Sequence, residues 1–312
     1  MSSAVKYPVL LAILFVSISF AQEIKRPKIL GISHIALFVH NLDSSFVFYK
    51  DLLGYQEPFR LNKPDGTFST AFIKVNDLQA IELFPEKETG SDRLYQVAFF
   101  TDDAAGMRNY LESRGVKVPP NVNKGRIGNY NFSFKDPNGF TVEMVQYEKE
   151  GWTLKDSGLH MSASRISDHI RHIGFIVDTL KSSLSFYRDI LGFEETWRGS
   201  KDGASLSWVN LKVPDGTDYI EFMLYKENER PKSRLGSMNH MSLEVENLDE
   251  AVAKLESNTV RKLYKRKIEI TTGINRKRQC NLYDPDGTRA ELMEPKTVDG
   301  VTPPSSKAHP PK

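Results

Sequence analysis

The sequence is poor in cysteine, in net charge and in long apolar runs. Its 312 residues include one cysteine, Cys280, so no internal disulfide can form. The 42 lysines and arginines nearly balance the 40 aspartates and glutamates, and a formal net charge of +2 gives no general attraction for nucleic acid. Hydrophobic residues make up 39% and charged residues 26%, fractions that exclude a mostly disordered chain. At about 150 residues per domain, the length indicates about two domains.

The amino-terminal segment has a composition of its own. Lys6 precedes a nearly unbroken apolar run over residues 9–20, and the small residues Ser19 and Ala21 stand at the positions that determine cleavage. This pattern is typical of a secretory signal peptide over residues 1–21, because the run is shorter than the ~20 residues that cross a bilayer. We therefore expect a secreted or periplasmic protein that keeps no stable membrane span after cleavage.

The carboxyl-terminal residues 297–312 have the opposite composition. They contain four prolines together with glycine, serine and lysine, and few apolar side chains. Such a segment cannot bury enough apolar surface to offset its loss of conformational entropy, so we predict a disordered tail.

The rest of the chain contains an internal repeat. The segment from His34 to Val39 returns 138 residues later, from His172 to Val177, and so do the Phe-Tyr and Leu-Gly pairs that follow it. The turn sequence at 134–139 returns 148 residues later, an offset ten residues longer than the first. These ten additional residues lie between the matched segments of the second half, in loops. We predict two homologous domains, at residues 28–148 and 168–296, joined by a polar linker at 149–167.

Each half divides again into two units with the same order of elements. In the first unit, a strand from Ile32 to Val39 precedes an amphipathic helix that is capped by Asn41 or Asp43 and stopped by Gly54. Short β-branched or aromatic strands follow, separated by turn residues. The predicted fold is therefore α+β, with four βαβββ units, in which each pair of units forms a half-open sheet with a concave cavity.

Strand alternation places four metal-ligating side chains on the concave face of the second half. These are His172, Glu221, His240 and Glu291. An unpaired carboxylate inside a sheet is costly, and a divalent cation is the simplest single partner for two carboxylates and two imidazoles. The first half carries the related set His34, Glu82, Gln96 and Glu143. Its neutral glutamine amide replaces an imidazole, so we expect it to hold a soft or borderline metal less well.

Basic residues are concentrated near the end of the second half, at 261–267 and 276–278. Such runs are typical of solvated loop and strand-edge charge. A second hypothesis is that Arg276 or Arg278 reaches over the second cavity and binds a substrate carboxylate or phosphate.

These motifs resemble the vicinal oxygen chelate superfamily, which includes glyoxalase I, methylmalonyl-CoA epimerase, extradiol dioxygenases and bleomycin-resistance proteins. The resemblance covers almost all of residues 30–295. It rests on HIGFIV, SLSFYRDILGF and YDPDGTRAELME and on their first-half counterparts HIALFV, SFVFYKDLLGY and KDPNGFTVEMVQY. It implies metal ligands from the first and last strands of the units, which by match are the two sets above. It also implies a divalent metal ion: Fe, Ni, Zn, Mn or Co.

The resemblance leaves three functions open. A glyoxalase-like lyase, isomerase or epimerase would use the four ligands of the second half, with Glu221 or Glu291 moving a proton. A ring-cleaving dioxygenase would hold iron with His172, His240 and Glu291, which leaves Glu221 surplus. It would also need further acid–base histidines, and the sequence has none between His172 and His240.

A non-catalytic small-molecule binding protein of the bleomycin-resistance kind is the third alternative. Such proteins generally lack the histidine and glutamate set that this chain carries. We therefore expect metal-assisted proton transfer on a small oxygenated substrate and no nucleic-acid partner. Whether two copies form a homodimer stays open.

Overall fold

The computed structural model describes residues 24–89, 92–225 and 240–311. The predicted signal peptide, residues 1–21, lies outside the described residues. Within the described ranges, no helix is long and apolar enough to span a membrane.

The first module is one eight-stranded sheet with two helical segments. Its strands are β1 (Ile29–Val39), β2 (Gln56–Asn62), β3 (Phe68–Lys74), β4 (Ala80–Pro85), β5 (Leu94–Thr101), β6 (Asn123–Lys124), β7 (Tyr130–Lys135) and β8 (Thr141–Gln146). Helix α1 (Leu42–Phe46) continues as a π-helical turn over Val47–Leu52, and α2 spans Ala104–Ser113. A short helix, α3 (Trp152–Lys155), lies in the linker.

The second module repeats this arrangement. Its strands are β9 (Ile170–Ile176), β10 (Glu194–Gly199), β11 (Trp208–Lys212), β12 (Tyr219–Met223), β13 (His240–Glu244), β14 (Ile270–Thr272), β15 (Lys277–Tyr283) and β16 (Arg289–Thr297). Helix α4 (Leu180–Leu184) continues as a π-helical turn over Ser185–Ile190, α5 spans Leu248–Glu256, and a 3₁₀ turn covers Arg261–Leu263.

The two sheets have the same strand order. It is β2-β3-β4-β1-β5-β8-β7-β6 in the first module and β10-β11-β12-β9-β13-β16-β15-β14 in the second. In both, the first strand pairs in parallel with the fourth and antiparallel with the fifth. Each sheet is therefore two βαβββ units joined edge to edge, which confirms the predicted fold class.

Local signals in the first helix act as the sequence predicts. The Asn41 side chain accepts a hydrogen bond from the Ser44 amide, which makes Asn41 the cap, and Gly54 ends the helix at a φ of 78°. The π-helical turn is also repeated. In each module the amide after it donates to a carbonyl five residues earlier, at 3.0 Å, from Leu53 in the first module and from Leu191 in the second.

Reciprocal hydrogen bonds join the modules through the repeated Phe-Tyr and Asp-Pro motifs. The Tyr49 hydroxyl donates to Asp284 Oδ2 at 2.9 Å, and the Tyr187 hydroxyl donates to Asp136 Oδ2 at 3.2 Å. Aromatic rings fill the space between the modules, with contacts between Phe99 and Phe193, Phe134 and Phe186, and Phe140 and Phe175. The helix-covered faces of both sheets thus share one core, and the opposite faces are concave.

The carboxyl-terminal segment differs from the predicted disorder. The Ser306 amide donates to the Arg198 carbonyl and the Leu206 amide donates to the His309 carbonyl, both at 2.9 Å. Ala308 packs against the core. Backbone hydrogen bonds to β10 and the loop after it order this segment, and composition alone does not reveal such bonds.

We expect the Asp284→Asn substitution to remove a pH dependence of stability. Burial raises the pKa of Asp284 from 3.8 to about 6, so the folded protein holds this proton more tightly than the unfolded chain. The contribution of Asp284 to the free energy of unfolding is therefore present below pH 4 and falls, by on the order of 3 kcal/mol, as the pH rises to about 6. Urea unfolding of both proteins between pH 4 and 7 measures this change.

The stability of the variant relative to the wild type should increase over that range. The introduced asparagine side chain carries no charge, and its amide oxygen can still accept the hydrogen bond from Tyr49. A stability difference that stays constant from pH 4 to pH 7 would contradict the expectation.

Candidate metal centre

Four side chains meet on the concave face of the second module. His172 Nε2 lies 3.0 Å from His240 Nε2 and 3.4 Å from Glu291 Oε2, and His240 Nε2 lies 3.6 Å from Glu221 Oε2. All four residues are buried, with at most 8% of their surface exposed. The structure thus brings together every member of the set that the sequence pattern predicts.

Strand register produces this convergence. Directly paired residues on neighbouring strands point to the same face of a sheet, so each row across the sheet presents its side chains together. One row contains Tyr219, His172, Ser242, Glu291 and Asn281, and the adjacent row contains Asn210, Glu221, Gly174, His240 and Arg289. Each row supplies one histidine and one glutamate, and the four side chains meet between the rows.

Gly174 makes room for the second histidine. It pairs with both Glu221 and His240, and a Cβ atom at Gly174 would lie 1.9 Å from His240 Cε1. The corresponding residue of the first module is Ala36, which pairs with Glu82 and with the flexible Gln96. The imidazole of His240 therefore depends on a glycine that the sequence pattern did not single out.

Burial sets the protonation of the ligands. It lowers the pKa of His172 and His240 well below the ordinary value, and the Arg289 charge adds to this effect, so both rings are neutral at pH 7. Burial and the neighbouring Glu291 raise the pKa of Glu221 to about 8, and burial also raises the pKa of Glu291. Neutral imidazoles and acids that are costly to ionise unaided favour a bound cation.

The donor set fits a divalent metal ion. Bonds of about 2.0–2.2 Å to a shared ion would place neighbouring ligand atoms about 3–3.6 Å apart, as observed here. Donor atoms of His172, His240 and Glu291 all lie within 4.8 Å of one another. Over the described ranges of the chain, no other trio of histidine, cysteine or acidic residues forms such a group.

The first-half set also converges, but its members hydrogen-bond to one another. The Gln96 amide donates to Glu143 Oε2 at 2.9 Å and lies 2.8 Å from His34 Nε2. Burial alone would lower the pKa of His34, but Glu82 and Glu143 outweigh it and raise that pKa. Burial raises the pKa of Glu82 to about 7. The glutamine amide of the first module therefore stands where the second module has the His240 imidazole, and it is already hydrogen-bonded to a carboxylate.

The basic residues predicted to bind substrate lie elsewhere. Arg276 pairs with Asp299, and Arg278 pairs with Asp249 at 2.8 Å and with Glu294 at 3.2 Å. Strand alternation puts Arg278 on the same face as the fully buried Cys280, which is the helix-covered face and not the concave one. Both arginines therefore have acidic partners within the protein, and neither contacts the four converging side chains in the described part of the chain.

Arg289 is the arginine that lies beside the metal ligands. Its Nη2 donates to His240 Nδ1 at 2.5 Å, and it stands directly opposite His240 on β16. The signal was available, because Arg289 precedes Glu291 by two residues on one strand and therefore shares its face.

Two asparagines complete the second cavity. Asn210 pairs with Glu221 and Asn281 pairs with Glu291, so both point to the concave face. The Oδ1 atom of each is buried and has no hydrogen-bond partner among the residues that the structure describes. The first module has Phe72 and Ser133 at the same places, so the two cavities differ in polarity.

We expect Gly174→Ala to abolish tight metal binding in the second module although it removes no ligand. The added methyl group overlaps the His240 ring and forces the imidazole out of position. Metal content after dialysis, measured by inductively coupled plasma mass spectrometry, tests this. The reverse change in the first module, Ala36→Gly, is the control and should leave the content unchanged. Wild-type metal content in Gly174→Ala would refute the steric argument.

We expect the metal affinity of the second module to rise between pH 6 and pH 8. Glu221, with a pKa of about 8, holds a proton at pH 7 that an adjacent cation displaces, whereas the two histidines are already neutral. Titration calorimetry with Mn²⁺ in buffers of different ionisation enthalpy counts the released protons. Glu221→Gln should release fewer protons, and an affinity that does not change over this range would contradict the assignment.

Curated relatives match parts of the chain. The Escherichia coli protein YaeR is 33% identical over 130 residues, which are 40% of this chain and 95% of YaeR. Mouse mitochondrial methylmalonyl-CoA epimerase is 30% identical over 102 residues, which are 30% of this chain and 55% of the epimerase. The match thus spans about half the length of the epimerase.

Solved structures match nearly the whole chain. The Mn(II)-bound glyoxalase from Novosphingobium aromaticivorans aligns with a TM-score of 0.64 at 17% identity and covers 92% of this chain and 87% of its own. The 2,3-dioxygenase LapB from Pseudomonas sp. KL28 aligns with a TM-score of 0.62 at 19% identity and covers 89% of this chain and 95% of its own. At these identities the likeness shows a shared fold.

A family model decides the classification. The model of the glyoxalase, bleomycin resistance protein and dioxygenase superfamily matches residues 31–144 and again residues 169–292, one match for each module. With both modules matched and the concave sheets in place, the chain belongs to the glyoxalase/bleomycin resistance protein/dioxygenase superfamily, the vicinal oxygen chelate superfamily.

Proposed function

We propose that the second module is a metal-dependent catalytic centre that moves a proton on a small oxygenated substrate, as a lyase, isomerase or epimerase does. The position of Glu221 carries this proposal. Its carboxyl group stands beside the cluster of His172, His240 and Glu291 and is not one of the three converging donors. A buried acid next to three metal ligands is placed to act as a base on a substrate bound there.

Each residue of the second module has a separate role in the proposed proton transfer. His172, His240 and Glu291 would hold a divalent cation, which acts as a Lewis acid that polarises a substrate carbonyl or hydroxyl oxygen. Glu221 would remove a proton from the carbon adjacent to the polarised carbonyl group, whose oxygen takes up the negative charge, and would return the proton to the same or a neighbouring carbon. Tyr219 stacks on His172 with ring centroids 4.5 Å apart and holds that imidazole in place.

Two of the matched proteins support a proton-transfer reaction. An epimerase inverts a carbon centre, and the mouse methylmalonyl-CoA epimerase is one of the curated relatives. A Mn(II)-bound glyoxalase is among the matched structures, which supports a divalent metal in this fold. For this chain we propose that the bound ion is a divalent cation of Fe, Ni, Zn, Mn or Co.

An extradiol-type dioxygenase is the second candidate, because the three converging donors are two histidines and one carboxylate. That set leaves positions open on an iron for a catecholate and oxygen. The matched dioxygenase LapB has the same fold. Against this candidate, the sequence has no histidine between His172 and His240 and none from 241 to 308 that could serve as an additional acid or base.

We expect Glu221→Gln to retain most of the bound metal and to lose proton transfer by at least about a hundredfold, the usual contribution of a general base. Exchange of the C2 proton of methylmalonyl-CoA in D₂O, followed by NMR, is the first assay, because that compound has an acidic proton next to a carbonyl. Glu82→Gln in the first module is the matched control and should leave the exchange rate unchanged. Equal exchange rates in Glu221→Gln and the wild type would refute the role of Glu221.

A second assay separates the two candidate reactions. Oxygen consumption with catechol, measured on protein loaded anaerobically with Fe(II), should be absent if the centre transfers protons. Ring cleavage that His172→Ala and His240→Ala abolish would establish the dioxygenase instead. If the protein binds no metal, and these two substitutions leave its behaviour unchanged, both enzymatic candidates fail.

Export is a separate proposal that rests on residues 1–21. A secreted or periplasmic location is compatible with the single thiol, because Cys280 is buried and its burial raises its pKa to about 11. A thiol of this kind is protonated and shielded, so it resists oxidation and mixed disulfide formation. Fractionation of cells that express the whole chain, with and without residues 1–21, tests the location.

A further inference from the structure

The first module contains a cavity that the proposed reaction does not use. Its volume is about 280 Å³, and it lies on the concave face of the first sheet. The polar floor is formed by the first-half set, His34, Glu82, Gln96 and Glu143. The walls include the aromatic side chains of Phe59, Phe72, Phe84 and Tyr95.

The hydrogen bonds of the floor leave one carboxyl group free to face a ligand. Glu143 accepts from the Gln96 amide and lies 3.1 Å from His34 Nε2. Glu82 is 8% exposed, and within the described part of the chain its nearest charged neighbour is His34 Nδ1, at 3.5 Å. That distance is too long for a strong hydrogen bond. Glu82 is therefore the acid that a bound molecule can satisfy.

The charge of the lining favours a cation over an anion. Four acids line the cavity, Asp77, Glu82, Glu143 and Asp156, against one lysine, one arginine and His34. Asp77 and Asp156 pair with the lysine, so Glu82 and Glu143, beside His34, are the acids that remain for a ligand. Lys74 already pairs with Asp77 and Asp156, at 2.9 Å each, and Arg126 donates to the Asn62 carbonyl. Both basic groups have acceptors within the protein, which leaves the cavity without a described lysine or arginine for an anionic ligand.

The walls favour a flat ring. Phe59 lies against Phe72, and Phe84 lies against Tyr95, with ring centroids 4.8 Å apart in each pair. Aromatic faces attract both other rings and cations. In the second module the place of Phe72 is taken by Asn210, so this lining is particular to the first cavity. The volume is just below the range of about 300–1,000 Å³ for pockets that enclose drug-sized ligands, which favours a molecule with one ring.

We propose that the first cavity binds a small primary amine that carries one aromatic ring, with its ammonium group on Glu82 and its ring between the aromatic walls. The proposal makes the first module a binding site for an organic cation, separate from the metal centre of the second module. It does not depend on the reaction proposed above.

Titration calorimetry on the whole chain with 2-phenylethylamine tests the proposal. We expect one amine per chain, with binding weakened at least tenfold by Glu82→Gln, which keeps the shape of the side chain and removes its charge. The same change in the second module, Glu221→Gln, is the matched control and should leave the dissociation constant unchanged. Phe72→Leu, which removes one aromatic wall, should also weaken binding. It replaces Glu82→Gln as the test if circular dichroism shows that Glu82→Gln is not folded.

Two compounds of similar shape but different charge test whether binding depends on the ammonium group. The neutral 2-phenylethanol and the anionic 3-phenylpropanoate should bind at least tenfold more weakly than the amine. Equal or tighter binding of either compound, or no amine binding at millimolar concentration, would overturn the proposal. A second metal equivalent per chain that His34→Ala removes would also overturn it, because the floor would then be a metal centre.

Discussion

The antiparallel pairing of the first and fifth strands in each module is the constraint on which the rest of the structure depends. The pairing of β9 with β13 sets His172 opposite Ser242 and Gly174 opposite His240, and β12 and β16 extend the same rows. Because side chains alternate along a strand, a slip of one residue would turn His240 away from the cavity and expose its apolar neighbours. The buried face therefore fixes the register, and the register assembles the site.

The two modules have the same strand order and differ in the side chains on their concave faces. Where the second module has Gly174, His240 and Arg289, the first has Ala36, Gln96 and Thr141 in the same row. The glycine admits an imidazole beside the first histidine, and burial, with a smaller effect of the Arg289 charge, lowers the pKa of both rings. In the first module the Gln96 amide donates to Glu143, and the carboxylates of Glu82 and Glu143 outweigh burial and raise the pKa of His34. These three differences, together with Phe72 in the place of Asn210 in the same row, give the two cavities different chemistry.

Burial of these acids would be costly in isolation. Burial raises the pKa of both Glu221 and Glu291, and the charge of Glu291 adds to the effect on Glu221. Stability must come from elsewhere, and the apolar core shared by the modules provides it. The fold can therefore hold charged groups in positions that binding, rather than folding, requires.

Local patterns in the sequence determined the repeat, the helix boundaries and the face on which each ligand lies, because these depend on spacing, capping and alternation along one strand. The sets around His172 and His34 were predictable for that reason. The role of Gly174, the ion pairs of Arg278 and the ordered tail were decided only by tertiary structure. Each depends on contacts between segments far apart in the chain. The local sequence pattern does not show how much free volume lies beside a ring or which residue pairs with a charge.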